Sequence, residues 1–229
     1  MAFIPARVNK PFIALFRVYV KHLFRRRFKR VYLENCLPST EQGPVIFFMN
    51  HHLWWDGLIP LLLNEYEFRK EARAIMEIDQ MKEFRFFSWI GAFSVDLKGG
   101  SDMRTTIRYA VDHLATDNPC LFIFPEGKIT PYTSSDVEFE QGLAFISTQS
   151  PQSKVVPVCS FLDVSKNDKP DLYLHVGNPV KLSTGLKKRS ERTAIFENTM
   201  TEVQQQVRRR VFEEQTGPEG TNPGFRRFV

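Results

Sequence analysis

Two short, wholly apolar segments constrain the fold of this chain more than any other feature. Residues 45–49 read VIFFM and residues 120–124 read CLFIF, and each has the length of a strand buried on both faces. The segments around them alternate between strand-like and helix-like patterns. This alternation predicts an α/β domain with a mixed, largely parallel sheet flanked by helices, in which ligands bind beyond the carboxyl ends of the strands.

The other periodic segments extend this prediction over most of the chain. The length of 229 residues fits one domain with a single large core, which we place at residues 31–215. Glycine and proline punctuate the start of residues 216–229, which are expected to form a flexible tail. Further strands are expected at residues 72–77, 91–96, 154–159 and 172–176, and helices at residues 57–68, 81–89, 102–115, 139–148 and 191–213.

Positive charge is concentrated at the amino terminus. The whole chain has a net charge of +5, but residues 1–33 carry +9 with no acidic residue, which leaves −4 on the rest. Apolar residues recur every three or four positions from Phe12 to Phe28, with lysine and arginine between them, so residues 1–30 are expected to form a basic amphipathic arm. Such a helix could lie in a membrane interface, with its arginines near anionic head groups, or pack on its own domain with a solvated basic face.

Several classes of protein are disfavoured by the sequence. Three cysteines without a CxxC spacing argue against a disulfide scaffold or a structural zinc site, and they fit a reducing compartment. No uncharged apolar run reaches ~18 residues, so no simple transmembrane helix is expected. The start lacks the apolar core of a signal peptide, and no recognised nucleic-acid-binding module is present, so nucleic acid is not an expected partner.

Polar residues follow each of the two apolar strands. Residues 50–56 read NHHLWWD and residues 124–130 read FPEGKIT. His51 and Asp56 are five positions apart, so the carboxylate can reach the imidazole if the loop curls, which would leave the other ring nitrogen as a base near neutral pH. This arrangement resembles a serine triad without its nucleophile, a part that the hydroxyl of the substrate could play.

Taken singly, these residues have simpler interpretations. A His-His pair is typical of loop histidines, Asp56 before a glycine is typical of a helix cap, and FPEG is typical of a turn after a strand. Adjacent histidines point apart, and no further ligand stands at helical spacing, so a metal site is not expected.

Together, the two segments resemble the NH-x4-D and FPEG signatures of the glycerolipid (lysophospholipid) acyltransferase superfamily, which includes 1-acylglycerol-3-phosphate acyltransferases. Their order and their separation of 75 residues fit that family. Two weaker blocks, GAFSVD at residues 91–96 and VVPV at residues 155–158, also resemble the family pattern. The resemblance extends over about residues 30–180.

The resemblance implies an O-acyltransferase of phospholipid biosynthesis. A fatty acyl group would pass from acyl-CoA or acyl-carrier protein to a hydroxyl of a lyso-lipid, without any further cofactor. His51 would take the proton of the acceptor and Asp56 would orient the imidazole, with no acyl-enzyme. The family likeness also favours the membrane interpretation of the arm, and therefore a peripheral membrane protein on the cytoplasmic face.

The resemblance also implies which residues surround the site. The expected acceptor-binding residues are Glu126, Gly127, Lys128, Thr130, Lys98 and Arg104. The expected walls of the acyl or acceptor pocket are Trp54, Trp55, Phe124, Pro125, Gly91 and Pro157. The two tryptophans are equally suited to anchoring at a membrane interface or to packing on the adjacent helix.

Two positions depart from the family pattern. Ile129 and Leu97 stand where members that use phosphate-bearing acceptors commonly have arginine. Either the neighbouring lysines, Lys128 and Lys98, supply the charge, or the acceptor lacks a phosphate monoester, as a neutral, amino-acid-containing or glycosylated lipid would. Two other functions stay open: a thioesterase-like hydrolase in which His51 activates water, and a non-catalytic membrane-binding protein.

Overall fold

The fold is built around one mixed β-sheet. The computed structural model describes residues 3–38, 41–97, 101–131, 137–182, 188–216 and 224–229. The sheet has eight strands within those residues, in the order β4-β3-β5-β2-β6-β7-β1-β8. The strands are β1 (Arg30–Asn35), β2 (Val45–Met49), β3 (Glu71–Glu77), β4 (Ala92–Val95), β5 (Pro119–Ile123), β6 (Lys154–Asp163), β7 (Asp171–Val176) and β8 (Arg226–Arg227).

Five neighbouring strands, from β4 to β6, run parallel. β7 is antiparallel to β6, β1 is parallel to β7, and β8 is antiparallel to β1. The two wholly apolar strands, β2 and β5, lie side by side near the centre of the sheet, and every one of their residues is buried. The predicted α/β class and the mixed, largely parallel sheet are confirmed.

Helices cover both faces of the sheet. They are α1 (Lys10–Arg27), α2 (Ile59–Leu63), α3 (Ile78–Glu83), α4 (Ser101–Leu114), α5 (Gly142–Gln149) and α6 (Arg189–Thr216). Because side chains alternate along a strand, β2 supplies both cores. Phe47 packs in the cluster that includes α1 and α2, whereas Phe48 packs in the cluster that includes residues of α4, α5 and α6.

The amino-terminal helix is packed on the domain along one face. Val20 and Phe24 are completely buried, and Arg17 forms an ion pair with Glu65 at 3.3 Å. The opposite face exposes apolar side chains: Leu15, Val18 and Tyr19 are 74%, 58% and 55% exposed. Within the described residues, no helix is both long enough and apolar enough to cross a bilayer.

The predicted helix at residues 81–89 is divided in the structure. α3 ends at Glu83, and a 3-10 helix follows from Arg85 to Ile90. Between them, Phe84 leaves helical geometry with φ −113° and ψ 67°. Its ring packs edge-on against Phe86 and Phe87, so local aromatic packing overrides the helical periodicity.

Two strands were not expected from the sequence. β1 carries charged residues near both ends, which obscure the strand pattern in the sequence. Arg30 pairs with Asp171 and Glu34 pairs with His175, and these two partners lie on the neighbouring β7. Residues 224–229 differ from the expected flexible tail. Arg226–Arg227 form β8 against β1, and Val229 is buried, because the closing apolar residues of the chain pack on the core. Residues 217–223 lie outside the described part of the chain.

Candidate active site

The two polar segments meet at the carboxyl edge of the sheet. Since β2 and β5 are adjacent and parallel, the residues that follow them emerge side by side. The Thr130 N–H donates to the carbonyl oxygen of His51 at 2.8 Å, which ties the FPEG segment to the histidine loop. A direct backbone hydrogen bond thus joins the two signatures, which are far apart in the sequence.

His51 and Asp56 form the expected pair. Residues Trp54–Leu58 form one short 3-10 helix, which curls the chain so that Asp56 Oδ2 lies 3.4 Å from His51 Nδ1. Asp56 is completely buried, and the His51 side chain is 17% exposed. When Nδ1–H faces the carboxylate, the second ring nitrogen is left as an acceptor. A contact of this length tightens in many enzymes once substrate is bound.

The Asp56 carboxylate is fixed by several donors. Oδ2 accepts the backbone N–H groups of His52 and Leu53, each at 2.8 Å, and Oδ1 accepts the hydroxyl of Ser160 at 3.0 Å. A buried carboxylate needs such donors to compensate for lost hydration. The aspartate is therefore held in one orientation before any substrate arrives.

Glu126 is turned away from the expected acceptor site. Its Oε1 accepts the N–H of His51 at 2.9 Å, and its Oε2 accepts the hydroxyl of Thr130. Both Glu126 and Thr130 thereby position the histidine loop, and neither lines the cavity beside His51. The physical reason is the burial of Glu126, which requires its carboxylate to use donors inside the protein.

A cavity of about 640 Å³ opens beside the His51 ring. Its walls are largely apolar and include Ile75, Met76, Phe87, Ile123 and Ile146. A volume of this size and character is typical of small-molecule sites. The residues expected from the sequence that line it are Trp54, Arg104, Phe124, Pro125, Gly127 and Lys128.

Positively and negatively charged residues both line the cavity. Arg104, Lys128 and Arg189 are basic, and Glu77 and Glu140 are acidic. Sequence reasoning missed Arg189, Glu77 and Glu140, because they stand outside the two signatures and reach the cavity only through the folding of separate elements. A basic residue at the start of α6 carries no local pattern that would mark it as part of a site.

The two departures from the family pattern also lie on the cavity wall. Leu97 and Ile129 are exposed apolar residues there, and both line the cavity. Leu97 lies against Gly127: a Cβ atom placed on Gly127 would be 3.6 Å from Leu97 Cδ1. Leu97 and Ile129 thus add apolar surface to a part of the wall that also includes Lys128 and Glu140. Lys98 lies outside the described residues.

Three residues expected on the pocket wall lie elsewhere. Trp55 packs edge-on against Phe24 of α1 and against Phe28, the residue that follows α1, so it belongs to the core beneath that helix. Gly91 closes the 3-10 helix before β4 with φ +104°, where an added Cβ would lie 2.7 Å from the Ala72 carbonyl oxygen. Pro157 is buried inside β6, where it contacts Gly177.

Among the described residues, no activated thiol or serine lies at the cavity. Among the described residues that line it there is no cysteine or serine, and the hydroxyl of Thr106 donates to the Ser94 carbonyl oxygen. Burial raises the pKa of the Cys120 thiol, and it raises the pKa of Cys159 to about 12, so both are protonated at neutral pH.

Comparison with known proteins agrees with this architecture. No curated protein sequence matches the chain significantly. The fold is similar to that of the crystal structure of the 1-acyl-sn-glycerophosphate (LPA) acyltransferase PlsC from Thermotoga maritima, with a TM-score of 0.58 and 17% sequence identity, covering 84% of this chain and 78% of that one. A family model described as Acyltransferase matches residues 27–160, more than half of the chain. The chain therefore belongs to the Acyltransferase family, and it is an acyltransferase.

Proposed function

We propose that this acyltransferase moves a fatty acyl group from an acyl thioester, acyl-CoA or acyl-carrier protein, to a hydroxyl group of a lyso-lipid. The observation that carries the proposal is the His51–Asp56 pair, whose histidine lies on the wall of a largely apolar cavity of about 640 Å³. The fold it shares with PlsC, which is named as an acyltransferase of 1-acyl-sn-glycerophosphate, supports a lyso-lipid as the acceptor.

The pair supports a direct transfer from donor to acceptor. The free ring nitrogen of His51 removes the hydroxyl proton as the acceptor oxygen attacks the carbonyl carbon of the thioester. Asp56 stabilises the imidazolium, and the C–S bond breaks as the thiolate leaves and takes up the proton. Since the described cavity residues include no cysteine or serine, the hydroxyl of the acceptor serves as the nucleophile and no acyl-enzyme forms.

A second cavity supports a long acyl chain as substrate. It has a volume of about 310 Å³ and lies beneath α1, where Ile13 and Ala14 contribute to its wall, and charged residues such as Arg17 and Lys70 line other parts of it. Four small or apolar residues line both cavities: Gly57, Ala74, Phe87 and Ala92. We propose that the acyl chain extends from His51 along this shared wall.

The chemistry of the cavity wall favours an acceptor without a phosphate monoester. The wall includes three basic and two acidic groups, and Leu97 and Ile129 add apolar surface. A phosphate monoester is best held by convergent arginines. A zwitterionic or uncharged head group, as in an amino-acid-containing or glycosylated lyso-lipid, suits the mixed charges better.

We expect wild-type protein to acylate phosphate-free lyso-lipids at least about tenfold faster than phosphate monoesters, the discrimination that one lost charged hydrogen bond provides. Product mass is measured with one acyl-CoA and a panel of both acceptor types. The double variant Leu97→Arg/Ile129→Arg should shift the preference toward phosphate monoesters. Equal rates on both types, unchanged in the variant, would contradict the acceptor assignment, and absence of acylated lipid with every acceptor would refute the function itself.

We further propose that the protein docks peripherally on the cytoplasmic face of a membrane. The exposed apolar face of α1 precedes Arg25, Arg26 and Arg27 on the same helix, so apolar insertion and attraction to anionic lipid can act together. Aromatic rings connect this helix to the cavity: Trp54, on the cavity wall, contacts Phe84, which leads through Phe86 to Phe16 of α1. Tryptophan and tyrosine favour membrane interfaces.

Removing two of these charges tests the docking proposal. The variant Arg25→Gln/Arg26→Gln should bind anionic vesicles roughly 30-fold more weakly, since each basic group near the surface contributes about 1 kcal/mol. The matched control is Arg208→Gln/Arg209→Gln, which removes the same charge from exposed positions on α6. Equal weakening in both variants, measured by vesicle sedimentation, would show that net charge and not α1 determines binding.

A further inference from the structure

We propose that Ser160 is a positioning residue of the transfer reaction and acts through Asp56. The inference rests on the proposed function and adds a third side chain to the His51–Asp56 pair. Ser160 lies on β6, is 1% exposed and does not line the cavity, so its hydroxyl cannot serve as a nucleophile. Its role is to fix the carboxylate that orients the histidine.

The two oxygens of Asp56 have different partners. Oδ2 faces the His51 ring and the backbone N–H groups of His52 and Leu53, whereas Oδ1 accepts the Ser160 hydroxyl at 3.0 Å. The serine therefore holds the side of the carboxylate opposite to the histidine. Without that donor, the His52 and Leu53 N–H groups still hold Oδ2, but Oδ1 loses its partner. The plane of the carboxylate can then turn about the Cβ–Cγ bond, and its orientation toward His51 is less well fixed.

Asn50 holds the serine in place. The Asn50 side-chain amide donates to the Ser160 carbonyl oxygen at 2.9 Å, and its oxygen accepts the Ser160 N–H at 2.8 Å. The asparagine side chain thus continues the pairing of β2 with β6 beyond Met49, the last backbone pair of those strands. As a result, the residue directly before His51 locks the strand that carries the serine onto the catalytic loop.

Charge strengthens this assignment. A hydrogen bond to an ionised carboxylate is stronger than one between neutral groups, and it gains further in a water-free site. Asp56 is completely buried, and Ser160 is the last residue of a buried run on β6 that begins at Val155. A hydroxyl at this position influences the histidine without touching either substrate.

The test compares two variants that separate the hydroxyl from the packing. Ser160→Ala removes the hydroxyl and should lower kcat by about 10- to 100-fold, the range of one hydrogen bond to a charged group, while KM for both substrates changes little. Ser160→Thr keeps the hydroxyl but overfills a buried site, so it should lose more thermal stability and yet retain more activity than the alanine variant. A purely structural serine would give activities that follow stability.

A matched control variant and a readout that does not depend on turnover complete the test. Ser150→Ala alters an equally buried serine, which bonds to Ser153 at the end of α5, and it should leave kcat unchanged. In 15N-histidine-labelled protein, the Nδ1 proton signal of His51 should be displaced or lost in Ser160→Ala and kept in Ser150→Ala. An unchanged His51 signal together with a wild-type kcat in Ser160→Ala would overturn the inference. Wild-type protein that makes no acylated lipid would instead overturn the proposed function.

Discussion

Replacing His51 by alanine is expected to lower the rate of acyl transfer by at least about 100-fold, the usual effect of removing a general base. The ring is the one imidazole on the wall of the cavity among the described residues, and its Nδ1 is directed at Asp56. The alanine variant should stay folded, because Asp56 keeps its bonds to the His52 and Leu53 N–H groups and to the Ser160 hydroxyl, and Glu126 keeps the backbone N–H of residue 51. Initial rates with acyl-CoA and a lyso-lipid measure the effect.

The neighbouring histidine provides the matched control. His52 Nδ1 lies 2.8 Å from the carbonyl oxygen of Thr130, and its Nε2 lies 3.3 Å from Gln204, so its ring contacts neighbouring segments and does not line the cavity. His52→Gln should lower the rate less than about tenfold. A His51→Ala protein with near wild-type transfer would contradict the role given to this residue.

Replacing Asp56 by asparagine is expected to reduce both transfer and stability. The rate should fall by about 100-fold or more, since the imidazolium loses its negative partner. The free energy of unfolding should fall by about 1–3 kcal/mol, because an amide NH2 group would face the N–H groups of the loop or the Ser160 hydroxyl in a completely buried site. Kinetics and urea denaturation measure the two effects.

A second buried aspartate separates these two effects. Asp171 is almost completely buried at the start of β7, where it accepts a bidentate bond from Arg30. Asp171→Asn should lower stability by a comparable amount and leave the transfer rate close to that of the wild type. If both variants lost activity in proportion to their stability, the rate effect at Asp56 would reflect folding alone.

The parallel centre of the fold was well predicted, because a strand that is buried on both faces appears in the sequence as an uninterrupted run of apolar residues. β2 begins and ends where the apolar run predicts, and β5 differs by one residue at each end. β1 and β8 contain charged residues and have no such apolar run. Glu34 of β1 is buried, and its carboxylate bonds to His175 and Arg210, which come from distant parts of the chain. Because these partners cannot be seen from the local sequence, a glutamate at this position suggests an exposed segment.

The candidate site was predictable only in part, for a similar reason. Spacing brings His51 close to Asp56, because five residues can close one turn. Spacing does not determine which way a buried carboxylate turns. The family likeness therefore predicts Glu126 in the acceptor-binding site, whereas its carboxylate accepts the His51 N–H and the Thr130 hydroxyl. Ser160 was missed altogether, since its contact with Asp56 spans 104 residues and depends on the pairing of β2 with β6.

The most direct test of the central claim follows both products of one reaction. Purified protein is incubated with an acyl-CoA, with and without a lyso-lipid, and free thiol, fatty acid and acylated lipid are measured together. Transfer by the His51–Asp56 pair predicts that thiol release requires the lyso-lipid and equals the amount of acylated lipid formed. Thiol release at the same rate without lyso-lipid, with free fatty acid as the product, would show a hydrolase and contradict the account.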